Sequence, residues 1–342
     1  EDSTPDATFS ADKTVNVAVG AGQVYPGQSY AIAEGDSLRL AGSAVGTPIA
    51  YAWDINSGAN FVADISDAAP VLTWQQLEGF GIHNDGSYTL RLRVTYSGNF
   101  TAISDPVTLT VSNTRPSATM GIVLSADHGI AANAVSEGGS PAVSVSFSNV
   151  YDPSSVDAAG LHYSVDFDND GVFDVVDAST PVIDIPSQYL GDAGTYTLRG
   201  QVRDDDGATQ LFTTLVVNEV APTLSLAGAA SADEGADYQL GLSASDPGND
   251  SINQWVVDWG DGSIETYAGG SSSVSHAFAD DGVCLIQVTA RDEDGSYTAS
   301  KSVTVNNVAP RLLDVAATDS DEGGVTHLTG RIVDPGALDT FT

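Results

Sequence analysis

The densest run of potential ligands in the sequence is Asp166-Phe167-Asp168-Asn169-Asp170-Gly171-Val172-Phe173-Asp174, with Asp177 following three residues on. Acids at positions 1, 3, 5, 9 and 12 and a glycine at 6 reproduce the spacing of a calcium loop, in which position 7, here Val172, offers a backbone carbonyl. An EF-hand would end in Glu and lie between helices. The flanks here alternate as strands, so the run is expected to be an Asp-rich loop of a β-domain. It reads equally well as a solvated turn that lengthens the shorter Gly260-Asp261-Gly262 turn further on. Other chemistries find little support. His83, His128, His162, His276 and His327 have no second His or Cys at zinc spacing. There is no nucleophile elbow, phosphate-binding loop or dinucleotide fingerprint. With 46 acids in the chain, paired carboxylates carry almost no information about glycoside hydrolysis. No enzyme is expected.

Those 46 acids face 11 bases, for a formal charge of −35, and Lys13 and Lys301 are the only lysines. Such a field repels nucleic acid and anionic lipid and attracts cations. Charged residues are nonetheless only 17% of the chain against 42% apolar, which is a globular composition and not that of an acidic disordered tail. The single cysteine, Cys284, excludes an intrachain disulfide, so the domains must be held by their cores, with or without metals. No apolar run approaches the ~18 residues of a membrane span, and the N-terminus lacks a signal pattern. A start at Glu1 without Met points to a processed or excerpted segment.

What positions the acids is a repeat. Arg203 to Pro222 recurs, 88 residues on, as Arg291 to Pro310, with nine of twenty positions identical. The same offset carries Glu234-Gly235 to Glu322-Gly323 and Asp246-Pro247-Gly248 to Asp334-Pro335-Gly336. A period of that size marks an array of small domains. The expected division is an N-terminal segment 1–30 with one strand candidate (Thr14 to Val19), repeats at 31–116, 117–222 and 223–310, and an incomplete fourth at 311–342. The position equivalent to Asp258 falls beyond Thr342, so the fourth repeat should be cut before its central strand. Within each repeat, short alternating runs of Val, Leu, Thr and Tyr lie between Gly, Pro, Asp and Asn turns, and no stretch sustains helical amphipathy. Seven or so such strands in roughly 90–110 residues describe an all-β, antiparallel, immunoglobulin-like two-sheet sandwich. Tyr51, Tyr163 and Trp255 would fill its core from the middle strand. Tyr88, Tyr196 and Cys284 share one strand position, which makes Cys284 a buried replacement for tyrosine.

Trp259-Gly260-Asp261-Gly262, His276-Ala277-Phe278 with Asp281-Gly282, Arg291-Asp292-Glu293-Asp294-Gly295 and Val303-Thr304-Val305 together resemble the polycystic-kidney-disease (PKD) domain. The resemblance covers the third repeat fully and the second well. It weakens in the first, where Trp53-Asp54-Ile55-Asn56 replaces the Gly-Asp-Gly turn and Thr95-Tyr96-Ser97-Gly98 the acidic hairpin. It implies a β-sandwich module of bacterial and archaeal surface proteins without chemistry of its own, and it makes His276 structural.

Antiparallel connectivity then decides which loops meet. Asp246, Asp250, Asp292, Glu293 and Asp294 should cluster at the leading pole of the third repeat, where the linker Asn218-Glu219 arrives. Glu137, Asp166, Asp168, Asp170 and Asp192 should mark the trailing pole of the second. Bare, the two poles repel. With calcium between them, taking 6–8 oxygens at ~2.3–2.6 Å, they become a rigid joint. The candidate ligands are therefore Asp166, Asp168, Asp170, Val172, Asp174 and Asp177 in the loop, and Glu137, Asn218, Glu219, Asp246, Asp292 and Asp294 at the joint. Asp204–Asp206 and Asp292–Asp294 also suit plain Asp-Gly hairpin turns. The expected function is a structural or adhesive extracellular array (a stalk, surface layer or filament subunit) stiffened by calcium. Its partners would be copies of itself or neighbouring surface proteins, joined by strand exchange at the incomplete repeat, with no nucleic acid and no membrane insertion. The alternative is a spacer or carbohydrate-binding module of a secreted hydrolase.

Overall fold

A computed structural model describes residues 22–132, 134–139, 141–318, 321–337 and 339–340; the strand candidate Thr14 to Val19 lies outside them. The chain divides into two compact units. One holds the residues up to Thr119 with Asn149–Tyr163 and Gln201–Leu211; the other holds Met120–Ser148, Ser164–Gly200 and the residues from Phe212 on. Both are built almost entirely from strands, as the alternating sequence predicts.

The third repeat shows the plan most clearly. Thr223–Ala227, Asp237–Ser245 and Ser273–Ala277 form one sheet. The second sheet runs Ser231–Asp233, Ser296–Asn306, Gly282–Arg291, Gln254–Asp258 and Ile264–Ala268. Inward residues of both close on Tyr238, Leu240, Trp255, Val257, Trp259, Phe278, Ile286, Val288 and Val303, each adding roughly 1.5–3 kcal/mol through the water it sheds. His276 stacks on Trp259 at 4.6 Å and its Nε2 bonds Asp261 at 2.6 Å, which ties the Gly-Asp-Gly turn to the core. In the first repeat the core position of the middle strand Ala50–Ile55 belongs to Trp53, fully buried, while Tyr51 packs half-buried at its edge. Tyr163 and Trp255 are buried as expected.

The shared strand position of Tyr88, Tyr196 and Cys284 has a structural reason. Tyr88 Oη donates to the Asn84 carbonyl at 2.6 Å and Tyr196 Oη to the Asp192 carbonyl at 2.9 Å, each reaching back four residues to pin the loop before its strand. Cys284 is buried there and cannot make that bond.

Two features depart from the sequence reading. A short helix, Trp74–Gly79, stands in the first repeat, closed by a reciprocal capping box between Thr73 and Gln76. In addition, each complete repeat contains one parallel pairing: Tyr30–Ala33 with Leu109–Ser112, Ala134–Ser136 with Val216–Asn218, and Ser231–Asp233 with Thr304–Asn306. A strand lying parallel to the last strand ends at the same pole from which the chain leaves. Beyond the third repeat, Arg311–Ala317 and Leu328–Val333 form an antiparallel pair whose Leu312, Val315 and Leu328 are exposed.

Candidate metal centres at the repeat joints

The parallel strand of each repeat runs directly into a Glu-Gly turn, and that turn fixes the trailing pole. Glu34, Glu137 and Glu234 donate their N–H groups to the carbonyls of Ser112, Asn218 and Asn306, the ends of the last strands. Their carboxylates then accept N–H bonds from the departing linkers: Thr114 to Glu34 at 2.9 Å, Val220 to Glu137 at 2.8 Å, Val308 to Glu234 at 2.6 Å. The three glutamates are 3%, 2% and 1% exposed, and one oxygen of each is left without a donor. Gly35, Gly138 and Gly235 follow at φ +83°, +74° and +71° and lie against Pro153, Pro247 and Pro335 of the next repeat. A Cβ at Gly138 would sit 2.7 Å from the Pro247 carbonyl, so glycine is required by conformation and by space alike.

The proline belongs to an Asp-Pro turn that supplies the facing acids. Asp152, Asp246 and Asp334 each accept one backbone N–H two residues on, at 2.9, 2.7 and 2.9 Å, and keep the second oxygen free of donors. Asp157 and Asp250 follow at the end of the same loops. The acidic hairpin contributes last: Asp204 Oδ1 takes the N–H groups of Asp206 and Gly207, and Asp292 Oδ1 those of Asp294 and Gly295. These are Asp-Gly turns, and their other oxygens, buried, have no donor either.

At the second joint Glu137, Glu219, Asp246 and Asp250 bring one carboxylate oxygen each within 4.8 Å of one another. Five oxygens there, counting Asp292 Oδ2, are buried without a donor. Glu219 also accepts from Tyr297 Oη at 2.5 Å. Asp294 joins Asp192 and Asp250 in a neighbouring, more exposed group. Asn218 is exposed, and its carbonyl accepts the Glu137 N–H at the end of the last strand. Burial, then the charge of Glu137, pushes the Asp250 carboxyl up to about 7, and burial also raises Glu219.

The first joint has the same plan in residues that the sequence reading passed over. Oxygens of Glu34, Asp152 and Asp157 lie within 4.8 Å of one another, and all three side chains are buried. Burial pushes Glu34 up to about 7 and Asp157 to about 6, and raises Asp152. At the third joint Glu234, Asp280, Asp281 and Asp339 gather.

The Asp166–Asp177 loop is arranged differently. Asp166, Asp168 and Asp170 come together, but Asp166 is paired with Arg199 at 2.9 Å and accepts the N–H groups of Asp170 and Gly171. Val172 donates its N–H to Asp170 Oδ1. Asp174 is occupied by the Phe167 N–H and by Tyr189 Oη, and Asp177 stands on the strand Val175–Ala178. Asp54 holds the same strand-end place in the first repeat and pairs with Arg91 at 2.7 Å; in the third, Gln287 faces Asp258.

Residues 219–307 match the family model of the PKD domain. No curated protein matches the chain. Among solved structures, immunoglobulin domains 1–5 of Sidekick-1 are similar at 11% identity over 92% of this chain and 66% of that one, with a TM-score of 0.33. Mouse cadherin-23 EC22–24 is similar at 15% identity over 84% and 99%, TM-score 0.29. The PKD domain of an M14-like peptidase from a Thermoplasmatales archaeon is similar at 23% identity over 25% and 96%, TM-score 0.22. The chain is a tandem array of immunoglobulin-like β-sandwich domains whose third repeat matches the PKD domain family.

Proposed function

We propose that the chain is a structural or adhesive segment of an extracellular array whose domains are fixed to one another by calcium. One observation carries this reading: at the second joint, acids from two successive repeats converge with five buried carboxylate oxygens that no donor satisfies. An uncompensated buried carboxylate is costly, and several together repel. A hard cation that accepts six to eight oxygens in flexible geometry reverses both terms. Extracellular modules bind calcium at ~10⁻⁴–10⁻³ M, an affinity suited to a device that works outside the cell. The Asp166 loop is the weaker candidate, because Arg199 already balances its first acid.

The carbohydrate-binding alternative needs an exposed row of aromatics, whereas Trp53, Trp74, Trp255 and Trp259 are all buried. Among the described residues no helix is long and apolar enough to cross a membrane. The partners of this reading are further copies of the chain or neighbouring surface proteins, and the exposed pair Arg311–Ala317 and Leu328–Val333 is an edge that accepts another strand.

Differential scanning calorimetry of the chain in calcium and in chelator tests the reading. At a hundred times Kd, each filled site adds ~2.7 kcal/mol, so the melting transition should move up by several degrees in calcium. Coincident transitions would defeat the proposal.

A further inference from the structure

We propose that the first joint holds a calcium ion of its own, on Glu34, Asn113, Asp152, Asp157 and Asp204. This extends the calcium reading to a set of residues that the second joint does not share.

Glu34, Asp152, Asp157 and Asp204 are 3%, 6%, 2% and 2% exposed. Glu34 Oε1, Asp152 Oδ2, both carboxylate oxygens of Asp157, Asp204 Oδ2 and Asn113 Oδ1 are buried without a donor. Asn113 lies on the linker against the Asp204–Gly207 hairpin, since a Cβ at Gly207 would meet its side-chain amide at 3.2 Å. Asp204 in turn adds its charge to the field at Asp152 and Asp157. No arginine, lysine or histidine forms a described ion pair with any of the four acids.

The remaining polar contacts of the set are spoken for by backbone. Thr114 N–H goes to Glu34, Ser154 N–H to Asp152, and the Asp206 and Gly207 N–H groups to Asp204. Ser154 Oγ donates to the His83 carbonyl at 2.7 Å, so its proton does not serve Asp157. What is left is a buried group of oxygen acceptors: Glu34, Asp152 and Asp157 bring theirs within 4.8 Å of one another, and the undonated oxygens of the linker Asn113 and the hairpin Asp204 are buried as well. The donor set holds neither His nor Cys, which disfavours zinc. Magnesium demands near-octahedral geometry and usually keeps several waters, which does not match an all-protein set of buried oxygens. Calcium suits carboxylates that approach from several loops.

Native mass spectrometry of the full chain in calcium, counting bound ions, tests the assignment. Asp157→Asn should lose one ion relative to the starting protein. Asp250→Asn should lose a different one, and the double variant both. An Asp157→Asn protein that keeps the full count overturns the proposal while leaving the second joint intact. An Asp250→Asn protein that keeps its full count defeats the second-joint reading and leaves this one standing. Should circular dichroism show Asp157→Asn unfolded, Glu34→Gln reads the same site, because its amide oxygen still accepts the Thr114 N–H; an undiminished ion count there is equally fatal.

Discussion

The first and second joints are built from one plan and secured differently. At the first, neutral hydrogen bonds cross between repeats: Trp74 Nε1 to the Pro153 carbonyl at 2.8 Å, and Ser154 Oγ to the His83 carbonyl at 2.7 Å. Ser155 N–H also reaches Glu78 at 3.3 Å. Its acids are sealed from water. At the second, Asn249 N–H reaches the Gly191 carbonyl at 2.7 Å, and the next described bond, from Tyr297, lands on the acid Glu219 itself. Glu219, Asp246 and Asp250 are half-buried, and Asp246 and Asp250 line a cleft of about 410 Å³. A shared plan of converging carboxylates thus sits on one joint that neutral hydrogen bonds also cross and on another whose crossing bonds are fewer and include one to an acid.

The largest expected effect separates the two directly. Nitroxide pairs at Thr195 and Ser251, across the second joint, should give a narrow distance distribution in calcium that broadens clearly in chelator, because the ion stabilises the state that binds it. Pairs at Ser87 and Ala158, across the first, should barely change. Equal responses would break the distinction.

Acidity tests what the joints share. Without calcium, Glu34, Asp157 and Asp250 titrate in the folded chain at about 7, 6 and 7 against ordinary values of 4.5, 3.8 and 3.8. The folded state thus binds more protons than the unfolded one between those limits. Its stability is full below the ordinary values and is lost as pH climbs through the folded ones. The melting temperature in chelator should fall from about pH 5 to about pH 7.5 and, with calcium, should rise instead, because only ionised carboxylates bind the ion. A falling curve in both conditions would leave the acids without a ligand.

The smallest effect sharpens the first joint alone. Trp74→Phe removes the part-buried hydrogen bond to the Pro153 carbonyl, at a cost of about 1 kcal/mol. The Ser87–Ala158 distance should then become sensitive to chelator. If it stays insensitive, the neutral lock lies elsewhere.

The sandwich was legible because period-two alternation and Gly, Pro and Asp turns are local signals. The second joint was partly legible because the 88-residue offset aligned Asp246 and Asp292 with named counterparts. The first escaped for physical reasons. Its loop, Asp152-Pro153-Ser154-Ser155-Val156-Asp157, is one residue longer than Asp246 to Asp250, and its hairpin acid, Asp204, suited a plain Asp-Gly turn equally well. The role of Glu34 follows from a parallel strand pairing, and alternation gives no hint of strand direction. The helix Trp74–Gly79 went unread, because six residues are too short to show periodicity. Nor does local spacing reveal Arg199, 33 positions beyond the aspartate it neutralises.

The parallel pairing at each trailing pole has a mechanical consequence. A strand near the start of the domain lies alongside the last strand, and the chain leaves from the end of the latter. Tension applied through the two ends pulls these neighbours past each other lengthwise. Their ladder bonds must then rupture together instead of peeling one by one. Each module would meet stretching at its strongest seam, and the buried glutamate of the Glu-Gly turn sits at the tip of that seam.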